Sequence, residues 1–270
     1  VIHSGVYYKP GSKKALTSKS GREQLVAFSQ EFEVSHEVCG KVIVATREDE
    51  LETLETIYAH GLENGLPDIR FVDGEDIPQY EPHCRGLRAI HVPYTGIIDY
   101  PALVERLLER VKAMGGEVRH GFGVEELVYN NANYLLTAGS QTIRAKRIIA
   151  CAGLQADRIA RRDGLRPEMR IVPFRGDYYD LTPTARQKVR NLIYPVPRPE
   201  LPFLGVHFTR MVNGEVECGP NAVFSFAREG YSKTSFSARD TASALGYGGT
   251  WRLFASHFSY GLKEYQRAFS

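Results

Sequence analysis

The sequence has no closely spaced pair of cysteines, no long apolar run and no block of like charge. Its four cysteines, Cys39, Cys84, Cys151 and Cys218, never form a CxxC, so neither a zinc ribbon nor a disulfide framework is indicated and a reducing compartment is expected. Cys151 sits in an apolar strand pattern and reads as a buried small hydrophobe. Stretches such as Ile148-Ile-Ala-Cys-Ala152 fall far short of the roughly 20 residues that cross a bilayer. The expectation is a cytoplasmic protein, soluble or peripheral to the inner membrane. Thirty-four Lys plus Arg against 32 Asp plus Glu leave a net charge of +2 with no basic tail, which argues against nucleic acid as a partner.

Several catalytic signatures are missing too. Gly121-Phe-Gly123 begins like a dinucleotide fingerprint, but Glu126 replaces the third glycine and Leu127-Val-Tyr129 alternates like a strand. No GxxxxGK[ST], HExxH or GxSxG occurs, so P-loop, zincin and α/β-hydrolase chemistry lack support. Residues His36, His60, His83, His91, His120 and His257 show no metal-ligand spacing and read as structural.

What is present is a mixed α/β chain of 270 residues, 43% hydrophobic, long enough for one large domain or two interlocked ones. Ser12 caps a helix running to about Phe32, and Val42-Ile-Val-Ala45 reads as a short buried strand. Thr46, followed by acidic residues 48 to 50, is expected to cap a second helix with Leu51, Leu54, Tyr58 and Leu62 on one face. Asp99 caps a third, with Pro101 in its first turn and Leu103, Leu107, Val111 and Met114 facing inward. The period then changes to two. Residues 121–128, 134–137, 142–145 and 147–151 read as strands, and Gly153 and Asp157 precede a helix ending near Gly164. The chain from 170 to 217 reads as mostly extended, and 238–269 as helical with glycine breaks.

The richest stretches place cations inside apolar or aromatic runs: Pro173-Phe-Arg-Gly-Asp-Tyr-Tyr179, Phe203-Leu-Gly-Val-His-Phe-Thr-Arg210 and Cys218-Gly-Pro-Asn-Ala222. Burying a charge there is costly unless something pairs with it, and a carboxylate substrate is such a partner. Together with His3-Ser-Gly-Val-Tyr-Tyr8-Lys-Pro10 and Cys39-Gly-Lys-Val-Ile-Val-Ala-Thr46, these motifs closely resemble the L-2-hydroxyglutarate oxidase/dehydrogenase family. That family is FAD-dependent and built like D-amino-acid, glycine and sarcosine oxidases, and the resemblance extends over nearly the whole chain.

The resemblance implies an FAD-dependent oxidoreductase fold, with a partial FAD-binding domain over 1–40 and 96–168 and an antiparallel-sheet substrate domain over 41–95 and 169–270. Family members begin with a strand, a GxGxxG turn and a helix that hold the FAD pyrophosphate, so this chain is expected to be a central fragment lacking that unit and the C-terminal segment. Weak FAD retention follows. Ser4 and Gly5 match the turn that approaches the flavin, Val124 matches a strand residue whose backbone faces the adenine, and Gly153 a small-residue strand end packed on the dinucleotide.

The implied reaction converts L-2-hydroxyglutarate to 2-oxoglutarate, reduced flavin passing electrons to oxygen or a membrane quinone. It needs a base for the hydroxyl proton and a cationic clamp for the carboxylate. Arg175 and Arg210 are the clamp candidates, because a guanidinium fork binds a carboxylate bidentately. An ion pair of Arg175 with Asp177 or Asp180 is the competing assignment. His207 is the base candidate, with His3 second and a satisfied structural histidine as the alternative. Tyr178 either donates a hydrogen bond to substrate or packs in a core. Strand alternation puts Arg210 on the face opposite His207. An amino-acid or secondary-amine oxidase of the same fold and a non-catalytic fragment stand as alternative functions.

Overall fold

The structure is a computed structural model that describes residues 1–130, 132–198 and 205–269. The Pro202-Phe-Leu204 part of one singled-out motif lies outside the described residues. The chain divides into two compact units, one of Val1–Gly116 with Asp177–Asn221 and one of Glu117–Gly176 with Ala222–Ser270. These bounds differ from the functional division expected above.

The first unit is built on a seven-stranded sheet. Its spatial order is Tyr179–Asp180, Val216–Gly219, His207–Arg210, Leu192–Pro195, Lys41–Ala45, Arg88–Val92 and Arg70–Asp73. Every pairing is antiparallel except that of Leu192–Pro195 with Lys41–Ala45, which is parallel and sets Tyr194 beside Ile43. All five residues of Lys41–Ala45 are buried, because both faces of this central strand are covered. Ile43 and Ala45 join Leu54, Ile57, Leu192 and Tyr194 on one side, while Val42 and Val44 join Val72, Ile77 and Ala89 on the other.

Helix Lys13–Glu31 is capped as expected, the Ser12 hydroxyl accepting from the Ala15 N–H at 3.2 Å. The cap expected at Thr46 is corrected. A short 3-10 turn, Glu48–Glu50, comes first, and helix Leu51–Glu63 follows it. Neither has a side-chain cap; Thr46 instead donates its N–H to the Glu50 carboxylate at 2.8 Å, tying the strand end to the turn. Buried Glu81 makes a long-range tie, accepting from the backbone N–H groups of Arg190 at 2.9 Å and Asn191 at 2.8 Å just before strand Leu192–Pro195.

Helix Tyr100–Ala113 begins at Asp99 as expected, its side chain accepting from Ala102 N–H at 3.1 Å. Its inward stripe is not borne out. Leu103 alone is buried, against Ile2, Val34 and Ile98, whereas Leu107, Val111 and Met114 are exposed, because only the first turn reaches that cluster.

The second unit holds an antiparallel meander of Glu126–Asn130, Asn133–Ala138 and Gln141–Ala145, and a short pair of Phe174–Arg175 with Val223–Phe224. Helices Ala156–Arg162, Ala238–Leu245, Gly248–Ser256 and Phe258–Phe269 complete it. The strand expected over 147–151 is absent, since that segment pairs with no strand among the described residues. Ile149 is consequently 90% exposed and Cys151 exposed, against the expectation of burial. Asp157 stands within its helix. It is buried and receives Arg228 Nη2 at 2.9 Å and Arg161 Nη1 at 3.2 Å.

Candidate active site

The turn at the start of the first unit is held rigidly. Asn64 donates to the carbonyls of Gly5 at 3.2 Å and Tyr8 at 2.8 Å, and Tyr8 N–H closes onto Gly5 carbonyl at 3.1 Å. Gly5 has φ 87°, which favours glycine, and a Cβ there would also press on the Ser18 side chain at 3.1 Å. Ser4 beside it is buried with its hydroxyl unpartnered. Ile2 pairs with Gly96, which carries His3 past the loop whose Thr95 carbonyl accepts from Gly40 N–H at 2.8 Å.

Strand His207–Arg210 alternates, with His207 and Thr209 buried and Phe208 and Arg210 half-exposed. His207 thus shares the face of Tyr194, on whose ring its imidazole stacks at 4.2 Å and 20°. Its Nδ1 lies 3.0 Å from the Gly205 carbonyl. A carbonyl only accepts, so Nδ1 carries the proton and the neutral ring leaves Nε2 with a free lone pair. Burial, with a smaller contribution from Lys41, depresses the imidazole below its ordinary pKa, although the Gly205 carbonyl opposes this. His207 is therefore neutral, and basic at one nitrogen, at neutral pH.

His3 is depressed as well, first by desolvation and then by Lys41 and His207. His3 is nevertheless exposed to solvent, which weakens the desolvation and makes it the less perturbed of the two histidines. Tyr178 lies over Gly219, where a Cβ would meet its ring at 2.8 Å, and Gly219 is the register partner of His207. The geometry thus collects His207, His3 and Tyr178 around one end of the sheet in the first unit.

Arg210 projects to the other face, as alternation predicts, and pairs with Glu37 at 2.8 Å. Arg175 belongs to the second unit, where its Nη1 donates to the Ser232 carbonyl at 2.7 Å. Gly153 and Val124 are in the second unit too. Gly153 has φ 48° with open space where a Cβ would stand, and Val124 lies just before its strand with its carbonyl accepting from Arg162.

Sequence reasoning passed over Lys41. Its side chain is 2% exposed, and its ammonium lies 4.2 Å from the Tyr7 ring centroid and 4.8 Å from that of Tyr194. Burial alone pushes its pKa down to about 7. The signal was legible: a lysine opening the fully apolar run Val42-Ile-Val-Ala45. Tyr7 and Tyr194 were missed for the opposite reason, since aromatics in strands and turns are commonplace. Burial raises both phenols, Tyr194 to about 12, so they remain hydroxyls.

Comparison with known proteins gives this geometry a family. Residues 1–251 match the model of the FAD dependent oxidoreductases. Over 271 residues, all of this chain, it is 41% identical to an L-2-hydroxyglutarate dehydrogenase of Indibacter alkaliphilus, covering 68% of that protein. It is 40% identical to the mitochondrial L-2-hydroxyglutarate dehydrogenase of Homo sapiens, with 99% of this chain and 60% of the relative aligned. The chain thus spans about 60–68% of the length of these relatives. Among solved structures, glycine oxidase from Geobacillus kaustophilus superposes with a TM-score of 0.71 at 15% identity, covering 92% of this chain and 65% of the other. The FAD-bound L-alpha-glycerophosphate oxidase from Mycoplasma pneumoniae gives 0.72 at 22%, covering 84% and 61%. These last two speak for the fold alone. By its sequence match and by its architecture, the chain belongs to the FAD dependent oxidoreductase family.

Proposed function

We propose that this protein oxidises L-2-hydroxyglutarate to 2-oxoglutarate, with FAD as the hydride acceptor. The names of its relatives supply the substrate, and the observation that carries the chemistry is His207, buried, neutral and fixed in the tautomer that leaves Nε2 free. His207 takes the proton of the C2 hydroxyl at Nε2 while Gly205 holds the ring in place. His3 stands as the second acceptor at the same end of the sheet. Tyr178, protonated and half-exposed, donates a hydrogen bond to a substrate oxygen. Arg210, turned to the opposite face and paired with Glu37, is left out of this assignment, and Arg175, whose Nη1 donates to the Ser232 carbonyl, belongs to the second unit.

The residues present fit a flavin nucleotide in part. Within the first unit the unpartnered buried hydroxyl of Ser4 beside left-handed Gly5 suits a close polar approach; within the second, Gly153 offers an open left-handed backbone, and Val124 is proposed to face the adenine. FAD supplies the two-electron acceptor when bound. Oxygen or a membrane quinone reoxidises it, and the proposed location is the cytoplasm or the inner-membrane surface. No helix among the described residues is long and apolar enough to cross a membrane.

The test is anaerobic bleaching of the flavin's visible band in the purified chain supplied with excess FAD. L-2-hydroxyglutarate is expected to bleach it and L-glutamate and L-proline to leave it oxidised. Bleaching by the amino acids alone would transfer the assignment to an amine oxidase. Absence of any flavin binding would favour a non-catalytic chain.

A further inference from the structure

We infer that Lys41 is the residue that pairs with a carboxylate of the substrate, making the sheet face of Lys41, Tyr194 and His207 a site for a small organic anion. The identity of that anion as a 2-hydroxy dicarboxylate rests on the function proposed above. Alternation along Lys41–Ala45 puts the lysine on the face of Ile43 and Ala45, over the larger core and not toward solvent. Two tyrosine rings flank its ammonium. Ring faces attract a cation without neutralising it, and a buried charge without a counterion is strongly disfavoured.

Among the described residues, no acidic side chain compensates Lys41. Among the described residues, the titratable groups turned toward it are His3 from the first segment, Tyr7 from the following turn, Tyr194 from the strand on one side and His207 from the next strand. None carries negative charge at neutral pH. Glu37, the nearby carboxylate, is held by Arg210, whose side chain lies on the other face. The Tyr7 hydroxyl is itself buried with no partner, a second polar group left unmatched beside the ammonium. An arriving carboxylate satisfies both. It also restores the lysine's charge, which burial has brought to a midpoint of about 7.

The sign follows. A bound carboxylate favours the ammonium, so the bound-state pKa rises above the free value, and affinity is highest below about pH 7. It then falls as pH rises, by up to about tenfold per pH unit until the bound-state pKa is passed.

The experiment is an NMR titration of the lysine Cε and Nζ signals in the full chain, alone and with L-2-hydroxyglutarate, 2-oxoglutarate, L-glutamate or L-proline. Alongside it, the affinity of Lys41→Met is measured by calorimetry. We expect Lys41 to titrate near 7 when free and at least one unit higher with the dicarboxylates, and Lys41→Met to bind them at least tenfold more weakly without the pH slope. The wild-type titration stands even if the variant folds poorly. An ordinary lysine midpoint that no acid moves, undiminished binding by Lys41→Met, or no saturable binding of any of the four acids would overturn the inference. Should the amino acids move Lys41 while 2-hydroxyglutarate does not, anion pairing stands and the hydroxy-acid function falls. Saturable 2-hydroxyglutarate binding with Lys41 unmoved gives the reverse.

Discussion

His207 and Arg210 are three positions apart in one strand, yet the two side chains meet opposite fates. Among the described residues the histidine enters a face with no carboxylate and is kept neutral, while the arginine crosses to Glu37 and remains paired. Replacing His207 with Asn preserves a donor for the Gly205 carbonyl but removes the free imidazole nitrogen. In the FAD-supplied protein the rate of flavin reduction should then fall about 10²–10⁴-fold with KM little changed, as read by stopped-flow absorbance. The pH profile has a definite sign. Because burial lowers the histidine's pKa, its basic form persists into acid, and the acid limb of the rate should have its midpoint below the ordinary imidazole value of about 6.5. A midpoint above that value would exclude His207 as the proton acceptor.

At the scale of elements, long-range polar ties fix what periodicity leaves open. The helix Ala156–Arg162 is only seven residues long, too short to be stable by its own hydrogen bonds, and is anchored through Asp157 to Arg228, 71 positions away in sequence. Both partners are buried, and the Arg228 guanidinium, donating to the carboxylate, holds Asp157 down to about 2. A depressed acid contributes its stabilisation above its unfolded pKa of about 4 and loses it as pH falls toward the folded value. Arg228→Met should therefore cost about 1–3 kcal/mol, since it removes the buried one of the two guanidiniums paired with Asp157 and leaves Arg161 in place. Urea unfolding at pH 7 checks this, and the difference between variant and parent should shrink between about pH 4 and pH 2. The helices 13–31 and 100–113 were legible from their caps at Ser12 and Asp99, and 51–63 from its apolar spacing. The segment 147–151 was misread because a strand requires a neighbour as well as a pattern, and local sequence does not say whether one is there.

For the molecule as a whole, apolar surface left uncovered sets its behaviour in solution. Leu107, Val111 and Met114, at helical spacing, are exposed along Tyr100–Ala113, and Met114 reaches 77%. A contiguous apolar stripe of this kind promotes self-association. The double substitution Leu107→Glu with Val111→Glu should reduce light scattering at a given concentration and change thermal stability by under about 1 kcal/mol, as expected for exposed positions. A large loss of stability would mean that these side chains are packed in solution.

The sequence by itself determined the mixed α/β class, the main helices, the family resemblance and the short roll of ionisable groups from which any site must come. Those features depend on local periodicity, capping chemistry and motif order, which are written along the chain. Tertiary structure alone decided which cations remain without a carboxylate. Lys41, Tyr194 and His207 come from three neighbouring strands, the first more than 150 positions before the other two in sequence, and Glu37 takes Arg210 out of their company. Whether a buried charge is neutralised depends on what surrounds it in space, and the distance along the backbone carries no record of that.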